Sequence, residues 1–253
     1  GRVLFVGDAA HQVSPFGARG ANSGFQDVDD LMWKLALVIQ GQAPDKLLDT
    51  YALDRQFAAD ENIMNSTRST DFITPKSRTS KTFRNQVLAL AKHYPFARKL
   101  VNSGRLSVPS FLTQSLLNTP DADAFEGNMV PGAPMDDAPV QVQGKEAWLL
   151  DQVGQGFACL LFADAAPSAE VLAQLKALQS GQLPVMPLIV APRALDVPGV
   201  QVIVDAQGWI AKRYDGKAGT AYLLRPDQHV AARWRQFDSA KLQQALGRAT
   251  AKA

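Results

Sequence analysis

Apolar residues in the N-terminal part of the chain recur at three- and four-residue steps, the spacing of one face of an α-helix. The longest such stretch begins near Ala21 and stops before Gly41. Its predicted inner face comprises Phe25, Val28, Leu31, Met32, Leu35 and Val38. A second helix is predicted from Asp45 to about Thr67, with Leu47, Leu48 and Tyr51 inside. Two shorter helices are predicted over 83–90 and 96–101, so this part is expected to be mostly helical.

Short runs of apolar, β-branched and aromatic residues show a second pattern, typical of buried strands. One of them, Arg2–Val6, opens the chain and ends at Gly7. The others cover 147–150, 157–162, 185–190, 200–204, 209–214 and 221–224. Helical spacing appears at 168–178 and 239–249. Strands and helices that alternate in this way predict a small α/β domain at the C-terminal end.

Turn-forming residues suggest how the chain is divided. Residues 68–82 are rich in Ser, Thr, Lys and Arg and are predicted to form a loop. Prolines and glycines without periodicity indicate a linker at 118–139, which separates a domain at 1–117 from a domain at 140–253. Tight turns are predicted at 205–208, between two strand runs, and at 225–228.

Composition narrows the functional class. The 253 residues are 46% apolar and 20% charged, with a net charge of +2, which is ordinary for a globular protein and leaves no basic footprint for nucleic acid. No apolar run is long enough to span a bilayer. The single cysteine, Cys159, excludes an intramolecular disulfide and suits a reducing, cytoplasmic location. Because the chain starts with Gly, almost inside a strand pattern, we expect it to be the C-terminal part of a longer protein.

The segment from Gly7 to Asn22, GDAAHQVSPFGARGAN, carries the chemistry. It places an Asp at the carboxyl end of a predicted strand, where ligands of open α/β sheets bind. Small residues then open a helix, so that backbone N–H groups and the positive end of the helix dipole face a ligand. A flat heterocycle that gains negative charge would be stabilised there.

This segment, followed by a helix that contains Asp27 and Trp33-Lys34-Leu35-Ala36, resembles the second flavin fingerprint of the class A FAD-dependent aromatic hydroxylases, the family of para-hydroxybenzoate and phenol hydroxylases. The continuation through Gly41-Gln42 to Tyr51-x-x-x-Arg55 is similar to the 3-(3-hydroxyphenyl)propionate hydroxylase branch. The resemblance implies that Asp8 of the Gly7–Asp8 pair binds the ribityl chain of FAD and that Pro15 lies beside flavin and aromatic substrate. It also implies that Gly17, Gly20, Ala21 and Asn22 hold the flavin through the helix start.

The C-terminal part is similar to the thioredoxin-like domain of phenol hydroxylase relatives, and Arg225-Pro-Asp-x-x-Val-Ala231 resembles a segment of that branch. The fold class implied is α/β: a partial, mostly helical FAD-binding domain of the para-hydroxybenzoate hydroxylase type, followed by a thioredoxin-like domain. The implied activity is hydroxylation of a phenolic ring with FAD, NAD(P)H and O2, with the base that deprotonates the phenol outside this chain. One departure matters, since no G-x-G-x-x-G follows a predicted strand, and Gly154-Gln-Gly156 lacks the third glycine.

Other interpretations remain open at this stage. The chain is alternatively a non-catalytic module for homodimerisation or partner binding, or part of a related FAD monooxygenase for a polyketide or other non-phenolic substrate. His11 is expected to support the loop rather than to act as a base, and Asn22 to cap the helix as well as to contact flavin. Trp33, Leu35 and Met32 are expected in the core. No metal site is expected, because the histidines and carboxylates lack ligand spacing.

Overall fold

The seven β-strands of the described residues all lie after residue 138, and four α-helices precede that residue. The computed structural model describes residues 2–15, 19–101 and 108–252. The helices are α1 Arg19–Ile39, α2 Asp49–Ile73, α3 Arg78–Ala91, α4 Pro95–Val101, α5 Leu149–Gln152, α6 Ala169–Gln179, α7 Trp209–Arg213 and α8 Ser239–Ala249. Short 3₁₀ helices cover Gly7–Ala9 and Asp45–Leu47. The predicted α/β class is confirmed.

The strands form one mixed sheet in the order β2-β1-β5-β4-β3-β6-β7. Their bounds are β1 Pro139–Val142, β2 Lys145–Trp148, β3 Phe157–Phe162, β4 Val185–Ala191, β5 Gln201–Val204, β6 Ala221–Leu224 and β7 Val230–Trp234. β3, β4 and β5 are mutually parallel, whereas β6 and β7 form an antiparallel hairpin beside β3. β1 and β2 form a second hairpin at the other side. Parallel strands need a crossover, which α6 provides between β3 and β4.

The centre of the sheet is buried on both faces. All six residues of β3 are buried, and successive side chains alternate between two apolar clusters. Cys159 packs in the cluster that includes α6 and α8, and Leu160 packs in the opposite cluster with Tyr214 and Tyr222. Burial raises the pKa of the Cys159 thiol to about 12, so this cysteine is an inert core residue.

Residue contacts divide the chain into two compact units. One comprises Gly1–Asp29 and Arg55–Ser110, and the other comprises Asp30–Asp54 and Phe111–Ala253. The second unit contains the whole sheet. Residues 109–138 form no helix or strand, yet Met129 and Ala133 of this segment are buried against the sheet. The domain limits at 117 and 139 stay predictions.

Two of the predicted strands do not form. Arg2–Val6 forms no strand, and its residues are exposed, Val3 by 73%. A strand exists only when it pairs with a neighbour, and the strands in the described part of the chain all belong to the C-terminal sheet. Residues 209–213 form the helix α7 instead of a strand, and Asp205 stabilises its first turn by accepting a hydrogen bond from Ala211 N at 2.9 Å. The tight turn predicted at 205–208 forms, with Gly208 N donating to Asp205 O at 3.1 Å, but it leads into this helix rather than joining two strands.

The limits of the N-terminal helices also differ from expectation. The helix predicted to end near Thr67 continues to Ile73, and the predicted loop at 68–82 shrinks to the few residues before α3. Ser77 is the N-cap of α3, since its hydroxyl accepts a hydrogen bond from Ser80 N. The turn at 225–228 is confirmed as the connection of the β6–β7 hairpin.

The inner face of α1 differs most from the prediction. Phe25, Val28 and Met32 are exposed by 75, 45 and 54%, and Leu35 is half-buried. Trp33 is buried, as expected, and the other residues that α1 buries are Arg19, Ser23, Asp27, Asp30, Leu31 and Lys34. Hydrophobic periodicity misses such a face because it does not register polar side chains whose charges are neutralised inside the protein.

Candidate functional site

The Gly7–Asp8 pair lies in a tight 3₁₀ turn at the end of the exposed N-terminal segment. Ala10 N and His11 N both donate to Gly7 O, at 2.9 and 3.0 Å. Gly7 has a φ of +59°, in the left-handed region that favours glycine. This conformation turns the backbone so that Asp8 is exposed, and its carboxylate has no hydrogen-bond or ion-pair partner among the described residues.

Asp27 of α1 holds this turn in place. Its side chain is fully buried. One oxygen, Oδ2, accepts hydrogen bonds from Gly7 N at 2.9 Å and from His11 Nε2 at 2.7 Å. The other, Oδ1, accepts from Arg55 Nε at 2.7 Å. A buried carboxylate with a guanidinium and two further donors is well compensated, so Asp27 fastens the turn to both long helices.

His11 has a structural role here, as expected, but its partner is a side chain rather than loop backbone. The Nε2 atom of His11 donates to Asp27. The other ring nitrogen, Nδ1, is buried and has no hydrogen-bond partner within the described part of the chain. We refer to Gly7, His11, Asp27 and Arg55 as the Asp27 clamp.

The loop that follows is tied to α2. Ser66 Oγ donates to Ser14 O at 3.2 Å, and the hydroxyls of Ser14 and Thr70 lie 3.2 Å apart. Further along, Asn62 Nδ2 donates to Ser23 Oγ at 3.0 Å. Three polar side chains of one helix therefore hold the loop and the first turns of α1.

The helix start is where the backbone is accessible. Gly20 is half-buried, and Ala21 and Asn22 are exposed in the first turn of α1. A Cβ built on Gly20 would lie 4.0 Å from Val13 O, so packing against the described residues does not itself demand glycine there. An exposed first turn with small residues gives a ligand access to the positive end of the helix dipole.

The remaining predicted site residues are partly accounted for. Pro15 is exposed in the loop before α1. Gly17 lies outside the described residues. Gly7 and α1 approach closely, since a Cβ on Gly24 would lie 3.4 Å from Gly7 Cα. The structure thus brings the Gly7–Asp8 turn next to α1 through Asp27 and Gly24.

The sequence interpretation gave no site role of its own to Asp27, Arg55 or Asn62. The motif Tyr51-x-x-x-Arg55 was a usable signal for Arg55, and both of its named residues are buried. Nothing in the spacing identifies Asn62.

A second buried charge cluster lies in the unit that contains the sheet. Lys34 Nζ donates to Asp30 Oδ2 at 2.8 Å and to Asp54 Oδ2 at 3.2 Å. Arg225 donates from NH2 to Asp30 Oδ1 at 2.8 Å and from Nε to Asp227 Oδ1 at 3.0 Å. All five side chains are at most 4% exposed. We call them the Asp30–Arg225 cluster; it connects Lys34 of the Trp33-Lys34 motif to the Arg225-Pro-Asp227 segment through Asp30.

Burial and charge act in opposite directions within this cluster. Burial raises the pKa of Asp30 from its ordinary 3.8 to about 6, although the charges of Lys34 and Arg225 lower it. Burial also acts to raise the pKa of Asp227, but Arg225 and His229 outweigh it and hold that pKa well below its usual range. The cluster is a structural network in which each charge depends on the others.

No group of three or more metal-binding side chains occurs in the described ranges. Among the same residues, no helix combines the length and the apolar character that a membrane crossing requires.

Comparison with known proteins places these features in context. Residues 1–66 match the family described as FAD binding domain, and residues 135–249 match the family described as HcaD C-terminal domain. A 3-(3-hydroxy-phenyl)propionate/3-hydroxycinnamic acid hydroxylase of Mycobacterium sp. (strain JLS) is 32% identical over 240 residues, which are 91% of this chain and 41% of that protein. One of the same description from Escherichia coli O157:H7 (strain EC4115 / EHEC) is 31% identical over 91% of this chain and 42% of its own length.

Solved structures show the same fold. The flavin-dependent monooxygenase PieE, in complex with FAD and substrate, aligns over all of this chain and 48% of its own, with a TM-score of 0.72 and 22% identity. Aklavinone-11 hydroxylase, in a ternary complex with FAD and aklavinone, aligns over 99% of this chain and 44% of its own, with a TM-score of 0.69 and 24% identity. The chain spans about two fifths of the length of the curated relatives it matches.

Proposed function

We propose that this chain, which is similar to curated 3-(3-hydroxyphenyl)propionate hydroxylases, forms part of a class A FAD-dependent aromatic hydroxylase that hydroxylates a phenolic substrate. The observation that carries the proposal is the Gly7–Asp8 turn held against α1 by Asp27, within the residues that match the FAD binding domain family. In the overall reaction, NAD(P)H gives up a hydride, one atom of O2 enters the ring and the other leaves as water. FAD, when bound, supplies the redox chemistry that joins these two events.

The residues present fit such a cofactor. Asp8 offers an exposed carboxylate without a protein partner in the described ranges, which is suited to accept hydrogen bonds from the hydroxyls of a ribityl chain. The first turn of α1, which contains Gly20, Ala21 and Asn22, presents the positive end of the helix dipole to a ring edge that becomes negative. Gly20 is compatible with this assignment, because among the described residues an added Cβ there would make only one ordinary contact.

The Asp27 clamp has a positioning role in this proposal. Asp8 is useful only if its backbone is fixed relative to α1, and the hydrogen bond from Gly7 N to the buried Asp27 fixes the residue before it. Arg55 and His11 hold Asp27 in turn. Pro15 and Gly17 stay assigned to the flavin and substrate side of the loop as predictions from the family resemblance.

The substrate class follows from the curated relatives, which are described as hydroxylases of 3-(3-hydroxyphenyl)propionate and 3-hydroxycinnamic acid. We propose a phenol that carries a short carboxylic acid chain. The related flavoproteins of known structure, at 22 and 24% identity, support the fold and do not favour another substrate.

For the C-terminal part we propose a thioredoxin-like domain without redox activity. Its support is the β3–α6–β4 crossover beside the β6–β7 hairpin and the closing helix α8. The single buried Cys159 excludes a dithiol. Homodimer formation stays a prediction.

The test uses a hydroxylase chain of the relatives' length that contains this sequence, in which Asp8 is replaced by Ala. The expected result is loss of most bound flavin, read from visible absorbance after gel filtration, and loss of NAD(P)H-dependent hydroxylation of 3-(3-hydroxyphenyl)propionate. The exposed Asp196 serves as matched control, and Asp196→Ala should keep both. Flavin content and turnover that are unchanged in Asp8→Ala would reject the assignment.

A further inference from the structure

A small cavity lies where the parallel strands of the sheet end. It has a volume of about 110 Å³, and its wall includes Phe162 at the end of β3, Asp164 after β3, Pro192 after β4, Asp205 after β5, and Gly216 and Lys217. The carboxyl ends of parallel strands are where α/β proteins bind ligands, because the chain diverges there into separate loops. This cavity is remote in sequence from the proposed flavin residues and independent of that proposal.

Asp205 is the unusual member of the wall. It is 3% exposed, and its Oδ2 accepts the hydrogen bond from Ala211 N. Its Oδ1 is buried and has no hydrogen-bond partner among the described residues, nor does the carboxylate form an ion pair with any of them. A buried carboxylate oxygen without a donor is costly, and such a group indicates that a donor comes from outside the chain.

The other charges at the cavity do not supply that donor. Asp164 and Lys217 are both exposed. Phe162 and Pro192 contribute apolar wall only. The wall therefore includes a carboxylate with one unpaired oxygen and an aromatic ring, a setting that favours a cation with N–H groups over an anion or an apolar molecule.

Size restricts the ligand further. Since a water molecule takes about 30 Å³ of liquid volume, the cavity has room for about three or four waters. That volume suits an ammonium group on a short alkyl chain and excludes a nucleotide or an aromatic acid. We propose that the cavity binds a primary ammonium group, whose N–H donates to Asp205 Oδ1. The group comes either from a free small amine or from a lysine side chain.

The test is an amide-resolved NMR titration of the complete chain with methylammonium chloride and, separately, with the N-acetyl methylamide of lysine. The expected result is saturable shifts of amides at 162–164, 190–192 and 205–217. Sodium chloride and tetramethylammonium chloride, which have no N–H group, should give no saturable shift at equal ionic strength. Tighter binding of methylammonium identifies a free amine as the source, and tighter binding of the lysine derivative identifies a protein side chain.

Two variants separate the proposal from unspecific cation binding. Asp205→Asn keeps an oxygen for Ala211 N but removes the charge, and should weaken methylammonium binding by about tenfold or more. Lys217→Gln removes a competing positive charge from the rim, and should strengthen binding by about twofold. If Asp205→Asn fails to fold, the comparison of Lys217→Gln with the unchanged chain still tests the proposal. The matched control Asp151→Asn, at an exposed position in α5, should change nothing.

Three results would overturn the proposal. One is the absence of saturable shifts at these amides with either amine. Another is equal shifts with tetramethylammonium. The last is a combined result for the two variants. In it, Lys217→Gln binds methylammonium no better than the unchanged chain, and a folded Asp205→Asn binds it as well as the unchanged chain.

Discussion

Asp27 accepts a hydrogen bond from the backbone N–H of Gly7, twenty residues earlier in the chain, at 2.9 Å. The same oxygen accepts from His11, and the other oxygen accepts from Arg55. The exposed residue of the turn, Asp8, is thus carried on a support that is itself buried. The proposed cofactor contact and its support are separate residues, so they can be tested separately.

Replacing Asp27 by Asn should destabilise the chain by about 3 kcal/mol or more, because Arg55 loses the carboxylate that neutralises it in a buried position. Urea denaturation followed by circular dichroism measures this change. Asp60→Asn, at an exposed position of α2, is the control and should stay within about 0.5 kcal/mol of the unchanged chain. Equal stability of Asp27→Asn and Asp60→Asn would mean that the clamp contributes little.

Gly7→Ala should cost about 1 kcal/mol of unfolding free energy, because alanine is strained at a φ of +59°. Gly41 is the matched control: its φ is +68° and no atom lies within 4 Å of an added Cβ. Gly41→Ala should cost a similar amount. In a hydroxylase of the relatives' length, only Gly7→Ala should also reduce flavin retention, and a comparable reduction with Gly41→Ala would argue that the effect is one of stability alone.

Gly132→Ala should be among the most damaging single substitutions outside the site. An added Cβ would lie 2.4 Å from Leu112 O, and the φ of Gly132 is +91°. Strain and overpacking together predict a loss of about 3 kcal/mol. Gly144 is the control, because it has a φ of +75° but open space around an added Cβ. Its substitution therefore measures backbone strain without a steric clash. Gly144→Ala should therefore lose only about 1 kcal/mol, and thermal melts of the two variants should differ accordingly.

The Asp30–Arg225 cluster predicts a pH dependence of stability with a defined sign. Burial raises the folded-state pKa of Asp30 from 3.8 to about 6, so between these values the folded state binds more protons than the unfolded state. The contribution of Asp30 to stability is then complete below about pH 4 and is lost as the pH rises through 6. The loss is at most about 3 kcal/mol, from 1.36 kcal/mol for each pKa unit.

Asp227 has the opposite sign, since its folded-state pKa is lowered and its contribution is lost on acidification. The comparison that isolates Asp30 is the difference in unfolding free energy between the unchanged chain and Asp30→Asn, measured by urea denaturation from pH 4 to 7. The unchanged chain should lose stability relative to Asp30→Asn over this range. A constant difference would contradict the raised pKa.

The sequence pattern correctly predicted helices and turns that are determined by residues within or next to them. The helices α6 and α8 begin at Ser168 and Asp238, whose side chains cap them, and both follow from helical spacing. The turn at 225–228 follows from Pro226 and Asp227. By contrast, α7 depends on a cap contributed by Asp205, four residues before the helix, inside what the sequence suggested was a hairpin turn.

The buried face of α1 could not be predicted from local sequence patterns. Asp27 is matched by Arg55, 28 residues later, and Asp30 by Arg225, 195 residues later. Hydrophobic spacing instead favoured the face with Phe25, which is exposed. Arg2–Val6 failed for a related reason, because a strand depends on a partner that a local pattern does not contain. The exposed residues Asp8 and Asn22 were predicted as site residues through the resemblance, whereas the buried side chains that hold the Gly7–Asp8 turn required the structure.

The most direct test of the account is a crystal structure of a hydroxylase chain of the relatives' length, containing this sequence, with FAD bound. A carboxylate oxygen of Asp8 is expected within hydrogen-bond distance of a ribityl hydroxyl, about 2.5–3.0 Å, with Gly7 N still donating to Asp27. The first turn of α1 is expected to face the isoalloxazine. A flavin bound elsewhere, with Asp8 remaining in solvent, would contradict it.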